Sequence, residues 1–228
     1  MLVISLFHMV AFAALMTAGL ALIPAGRAIV LGYTTPLWVA PAAFIFLKER
    51  ITARQGVGIV VGLIGLLLLF GPSSLDWTNG SALLGQGVLI LAALCWSVSI
   101  VYTRAHRWTA TPLHLMPWQC LVATVVLTSL ALIFEGMPPN LSQISSPALL
   151  ALAYNGVIGT ALGFWAMTVV NRRLPAATAS LGLLATPVLG IGLSTVILGE
   201  KLDPILILST VIILTGIALG TTGRKRLR

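Results

Sequence analysis

Residues Ile23 to Gly71 read IPAGRAIVLGYTTPLWVAPAAFIFLKERITARQGVGIVVGLIGLLLLFG, and Leu174 to Thr222 read LPAATASLGLLATPVLGIGLSTVILGEKLDPILILSTVIILTGIALGTT. The two align without a gap at a constant offset of 151, taken from Pro24 against Pro175. Ala25 falls on Ala176, Ala28 on Ala179, Thr35-Pro36 on Thr186-Pro187, Leu47 and Glu49 on Leu198 and Glu200, and Val60, Leu63 and Gly65 on Val211, Leu214 and Gly216. Any two apolar helices share some Leu and Ala. Two prolines, a Thr-Pro and a Glu in one register are a duplication.

What surrounds these copies fixes the solvent. The chain has 228 residues, 58% hydrophobic and 8% charged, with a mean hydropathy of +1.06. Soluble domains carry about 25% charged residues, so this chain has too little polar surface for water. A bilayer core of ~30 Å is crossed by ~20 apolar helical residues. Eight runs qualify: 2–22, 28–47, 54–71, 84–103, 114–134, 148–170, 176–198 and 204–222. They are separated by segments rich in Pro, Gly, Asn, Asp, Ser and charge. The runs are apolar all round, so they are helices and not the alternating strands of a barrel. The expected fold is an all-α transmembrane bundle of eight helices. Residues 2–22 lack a basic leading segment and are too long an apolar run for a signal peptide.

Charge placement gives the orientation. With the Arg224 to Arg228 end inside and eight spans counted back, the inside loops hold Lys48, Arg50, Arg54, Arg104, Arg107, Arg172, Arg173, Arg224, Lys225, Arg226 and Arg228. The outside loops hold Arg27 and Lys201. Cytoplasmic loops carry the excess of Lys and Arg, which places both termini in the cytoplasm. The same placement makes the net charge of +8 a matter of topology and excludes nucleic acid as a partner. An odd number of spans separates the two copies, so they cross in opposite directions. Inverted repeats are the architecture of secondary transporters, with the solute bound at the midplane.

The motif Thr35-Pro36 followed by Leu47-Lys48-Glu49-Arg50 resembles the EamA domain of the drug/metabolite transporter superfamily. Ala179 through Thr186-Pro187 to Leu198-Gly199-Glu200-Lys201 resembles it again, as do Trp96-Ser97 and Gly163-Phe164-Trp165. The likeness covers nearly the whole chain. That family has ten spans, five per half. Here the second repeat, residues 84–222, has five, and the first, residues 1–72, has three. The chain thus resembles a member lacking its first two helices, which would normally help line the cavity. The resemblance implies a secondary transporter in a bacterial-type inner membrane, moving a small metabolite or drug-like solute by alternating access. The alternative is a truncated, non-transporting membrane protein or scaffold that packs with another chain.

Individual residues suggest where a solute would sit. Pro36 and Pro187 fall near the middles of their spans, where proline removes a hydrogen bond and kinks the helix. The carbonyls so freed can face a polar cavity, or Thr35 and Thr186 can bond back to the helix and leave a static kink. Tyr33, Trp38 and Trp96 lie deep enough to touch solute, whereas Tyr102 and Trp165 read as interfacial aromatics. Asn155 is an amide that needs partners if buried. Glu49 and Glu200 end their spans beside Lys48, Arg50 and Lys201, as helix-end ion pairs or as gates at the two faces. His8 reads as a packing histidine. Gly56, Gly58, Gly62 and Gly65, and likewise Gly156, Gly159 and Gly163, give smooth faces for close helix approach. No carboxylate lies at the centre of a span, which favours a facilitator or exchanger. There is no HExxH, Walker loop, CxxC or Gly-x-Ser-x-Gly, and Cys95 and Cys120 lie apart in apolar runs. Enzymatic activity, metals and cofactors are therefore not expected. The expected partners are a small-molecule substrate and the lipid bilayer. The pattern permits a homodimer without setting the oligomeric state.

Overall fold

The computed structural model describes residues 1–23, 28, 31–70, 80–137, 144–198 and 204–221, all of them in helices or short connections. The helices are α1 (Leu2–Leu20), α2 (Thr35–Leu47), α3 (Ala53–Phe70), α4 (Gly80–Ala105), α5 (Pro112–Phe134), α6 (Ser146–Arg173), α7 (Ala176–Gly182), α8 (Ala185–Leu198) and α9 (Pro204–Thr221). Among the described residues α1, α4, α5 and α6 are each long and apolar enough to cross a bilayer, and the other apolar helices are shorter. The bundle expected from the runs is thus present.

The offset of 151 reappears in the helix boundaries. Ala53 and Phe70 bound α3, and adding 151 to each gives 204 and 221, the ends of α9. α1 is π-helical over Ser5–Phe12, and α6 is π-helical over Asn155–Leu162, one residue from the position the offset dictates.

The second and seventh spans are broken rather than kinked. Helical turns at 31–32 stop at a two-residue turn, Tyr33-Thr34, before α2 starts. α7 stops likewise at Leu183-Leu184 before α8. This corrects the mid-span kinks expected at Pro36 and Pro187. Pro36 sits in the first turn of α2, where its missing N–H has no helical acceptor to lose and its fixed φ suits the start of a helix. Pro187 is the third residue of α8. The carbonyls at the break are capped by hydroxyls: Thr34 donates to Leu31 O at 2.6 Å and Thr35 to Gly32 O at 2.8 Å. Pro41 of α2 and Pro117 of α5 lie inside their helices.

Among the described residues α3 and α9 approach backbone to backbone. A Cβ added at Gly58 would lie 2.6 Å from Gly216 O, and one at Gly216 would lie 2.5 Å from Gly62 N. One at Gly65 would lie 2.8 Å from Ile213 N. The pairs Gly62–Gly216 and Gly65–Ile213 exchange under the offset, since 62 maps to 213 and 65 to 216. Self-exchanging contacts are what a two-fold relation imposes on an interface. Around this seam Ala40, Ile59, Leu66, Ala177, Leu181, Leu184 and Ile213 form one core cluster.

The expectation for glycines holds in half. Gly58, Gly62 and Gly65 do face a partner helix, but Gly56 meets nothing within 4 Å. Gly156 and Gly163 also meet nothing, and a Cβ at Gly159 would meet only its own helix's Asn155. No residue in the most apolar stretch of α6 is buried.

Candidate functional site

Two clusters of polar and aromatic side chains stand out, one inside the bundle and one at an end of it. The inner one is built on the π-helical stretch of α1. His8 is buried, with its ring stacked on Trp96 (centroids 5.5 Å apart, 21° between planes) and edge-on to Phe164 at 4.6 Å. Phe12 lies 4.7 Å from Trp96. Next to it Met9, Val10 and Ala123 pack with Cys120 and Phe164. Two donors here are buried without an acceptor, Trp96 Nε1 and Gln119 Nε2, and Gln119 is one turn from Ala123 on α5. A buried donor left unpaired costs about 1–3 kcal/mol, so such groups call for an explanation.

Of the residues expected to touch solute, the structure gathers several and separates one. Trp96 packs in the cluster of Val39, Ala43 and Ile100, and Ser97 Oγ donates to Thr35 O at 3.4 Å. The break of α2 and the Trp96 side of α4 are therefore neighbours. Pro36 is fully buried there. Tyr33 packs against the α3–α9 cluster and hydrogen-bonds the Thr186 side chain, one residue before Pro187. Trp38 donates from Nε1 to Thr34 Oγ1 at 3.3 Å. Asn155 is exposed, and its role as a buried cavity amide is withdrawn: it starts the π-helical stretch on the uncovered face of α6. Sequence reasoning passed over Gln119. Its signal was a lone carboxamide seven residues into an apolar span.

The second cluster joins four helix ends. Lys48 closes α2 in the left-handed region (φ 54°, ψ 26°), and Glu49 N donates to Ala43 O at 3.2 Å. This six-to-one closure is the usual helix ending that favours glycine, and the offset places Gly199 opposite Lys48. The turn delivers Glu49 across the bundle. Its Oε2 accepts from Ala176 N at 3.1 Å, at the start of α7, where an anion is favoured, and its Oε1 accepts from Arg104 Nε at 3.3 Å. Glu49 was expected to pair with Lys48 or Arg50. The left-handed turn carries it instead to Arg104, distant in sequence. Glu200 lies outside the described residues.

Arg104 also donates from Nη1 to Arg172 O at 3.0 Å, and Arg172 donates from Nη1 to Ala110 O at 2.7 Å. The Arg172 guanidinium lies 4.3 Å above the Trp108 ring, a cation–π distance. Trp108 is held by its Nε1 donating to Thr103 O at 2.8 Å and by His106 edge-on at 4.6 Å. Beside Glu49 opens a cavity of about 300 Å³, walled by Thr52, Gln55, Pro175, Thr178 and the last turn of α9.

The EamA-like transporter family model matches residues 1–71 and 83–222. This chain belongs to the EamA-like transporter family. As an EamA-family protein it is an integral membrane protein and a transporter, not an enzyme, and its site takes a small molecule. An uncharacterized transporter of Bacillus subtilis, YoaV, is 28% identical over 96% of this chain and 74% of its own length. A probable amino-acid metabolite efflux pump of Escherichia coli is 29% identical over 89% of this chain and 69% of its own. A crystal structure matches with a TM-score of 0.80 at 23% identity, covering 96% of this chain and 75% of the other. That likeness concerns the fold alone.

Proposed function

We propose that the chain is a secondary carrier that moves a small organic solute across a bacterial-type inner membrane by alternating access. Its two halves act as an inverted repeat, with both termini in the cytoplasm. The observation that carries this reading is the pair of interrupted spans, broken at Tyr33-Thr34 and Leu183-Leu184. Interrupted apolar segments at corresponding positions of two halves are the best structural pointer to a carrier's binding site. The unpaired donors, Trp96 Nε1 on α4 beside the first break and Gln119 Nε2 on α5, suit a solute with acceptor oxygens and an apolar body. Two relatives, in E. coli and Salmonella typhimurium, are named as probable amino-acid metabolite efflux pumps, which supports a metabolite of this size as cargo.

The experiment is reconstitution of the purified chain in proteoliposomes loaded with a panel of labelled amino acids and their derivatives. Counterflow above that of empty vesicles is expected for at least one. Uniform absence of flux, with a full-length relative active in parallel, would refute the carrier reading. Topology is tested separately by accessibility of single cysteines at positions 50 and 104, expected from the cytoplasmic side only.

A second reading draws on α6. Its most apolar stretch has no buried residue, and Gly156 and Gly163 present a smooth face with nothing against it. Small residues at such spacing let another helix approach closely. On this reading the chain packs with a second chain, and the particle mass in detergent distinguishes it.

A further inference from the structure

The joined helix ends hold two guanidinium groups, Arg104 and Arg172, against one carboxylate, Glu49, which is already bound to Arg104. The cluster is one negative charge short. The deficit has a definite location. Arg172 uses Nη1 on Ala110 O, while Nε and Nη2 are both buried and have no hydrogen-bond partner. In a guanidinium these two N–H groups point the same way, and together they form the side-on fork that matches two oxygens of a carboxylate or phosphate. The plane of the fork is fixed on one side by the Trp108 ring and at its other nitrogen by Ala110. Arg172 as a whole is partly exposed, but leaving these two buried N–H groups without acceptors is costly, and Trp108 and Ala110 hold them in place.

We propose that the Nε–Nη2 edge of Arg172 is an oxyanion-binding site, taking the carboxylate or phosphate group of a ligand in bidentate fashion. The group can come from a solute at the mouth of the bundle or from a lipid headgroup. The solute version rests on the carrier reading, whereas the site itself does not. For a solute, the site makes the cargo acidic, captured first at Arg172. Thr168 and Phe164, one and two turns back along α6, lead from there to the His8 ring, which stacks on Trp96.

The test uses the full chain in a maltoside detergent, which carries no phosphate. Tryptophan emission, to which Trp108 contributes, is followed during titration with sodium acetate and with inorganic phosphate against sodium chloride at equal ionic strength. A saturable change with an oxyanion and none with chloride is expected. In a second arm the thermal transition is measured with added phosphatidylglycerol. A response in the first arm assigns the site to soluble oxyanions. A rise in the second arm alone assigns it to lipid phosphate. In either case Arg172→Lys, which keeps the charge but loses the fork, is expected to weaken binding on the order of tenfold, and Arg172→Gln to abolish it. No response in either arm, or an Arg172→Lys protein that elutes as the wild type does and binds equally well, overturns the proposal. Because binding is read without transport, a protein that binds oxyanions but carries nothing would count against the carrier reading alone.

Discussion

Replacing Gly216 by Ala places a methyl group where a Cβ would lie 2.5 Å from Gly62 N and 2.7 Å from both Gly58 O and Gly62 Cα. Ordinary contact begins near 3.4 Å, so α3 and α9 would have to part by 3.4 − 2.5, or about 0.9 Å. All three obstructing atoms are backbone, and no side-chain rotation relieves them. Overpacking costs about 1–3 kcal/mol, and a backbone obstruction belongs at the upper end. Ala is the better helix former by about 1 kcal/mol, which leaves a net loss of about 2 kcal/mol. Each kcal/mol moves the transition by about 2–4 °C in a protein of this size, so a fall of about 4–8 °C is expected. Gly56→Ala supplies the control. A Cβ there meets nothing, so only the helix-propensity gain remains, and a rise of about 2–4 °C is expected. The assay is the loss of the monodisperse size-exclusion peak after heating in detergent. If Gly216→Ala melts at or above wild type, or both variants shift in the same direction, the close-packed seam is refuted.

Other substitutions probe other parts. Lys48→Gly relieves a left-handed conformation that costs a non-glycine residue about 1–2 kcal/mol, partly offset by the greater freedom of glycine in the unfolded chain. A gain of about 0.5 kcal/mol is expected in the same heating assay, and a loss would mean that Lys48 has another function there. Glu49→Gln keeps an oxygen for Ala176 N but leaves Arg104 without its carboxylate. A loss of about 1–2 kcal/mol is expected, with Glu49→Ala worse, and equal melting of both variants and wild type would show that the joined ends do not hold. Trp96→Phe keeps the ring against His8 and removes the unpaired N–H, so stability should be unchanged or higher while solute affinity in the flux assay falls. Unaltered affinity would remove Trp96 from the solute path. Pro36→Ala and Pro187→Ala test the interruptions as hinges, with slower counterflow expected and unchanged rates counting against that role.

The helical bundle was legible because the signals that set it are local and redundant. Apolar runs must be helical in lipid, and the constant offset tied Thr35-Pro36 to Thr186-Pro187 without any structure. The site was less legible because its geometry depends on how spans face one another. Pro36 signalled a disturbance in the second span, but a helix start and a kink share that signal, and only the turn at Tyr33-Thr34 separates them. Glu49 was visible as a charge at a span end. Its partner was not, because the left-handed Lys48 sends it across to Arg104 rather than along the chain. Asn155 misled because a lone amide in an apolar run implies burial only if a neighbouring helix covers it, and the sequence does not state which faces of α6 are covered. The orphaned edge of Arg172 had no sequence signal beyond membership of a basic cluster.

The glycine seam has a mechanical consequence. Where helices are held apart by side chains, rotamer changes give them slack to slide or roll. Between Gly58 and Gly216, and between Gly62 and Gly216, backbone lies against backbone, and no flexible layer exists to absorb shear. α3 and α9 then move as one rod. On the proposed alternating-access reading, rocking of the flanking helices is taken up elsewhere, and the two-residue turns at Tyr33-Thr34 and Leu183-Leu184 are the candidate joints.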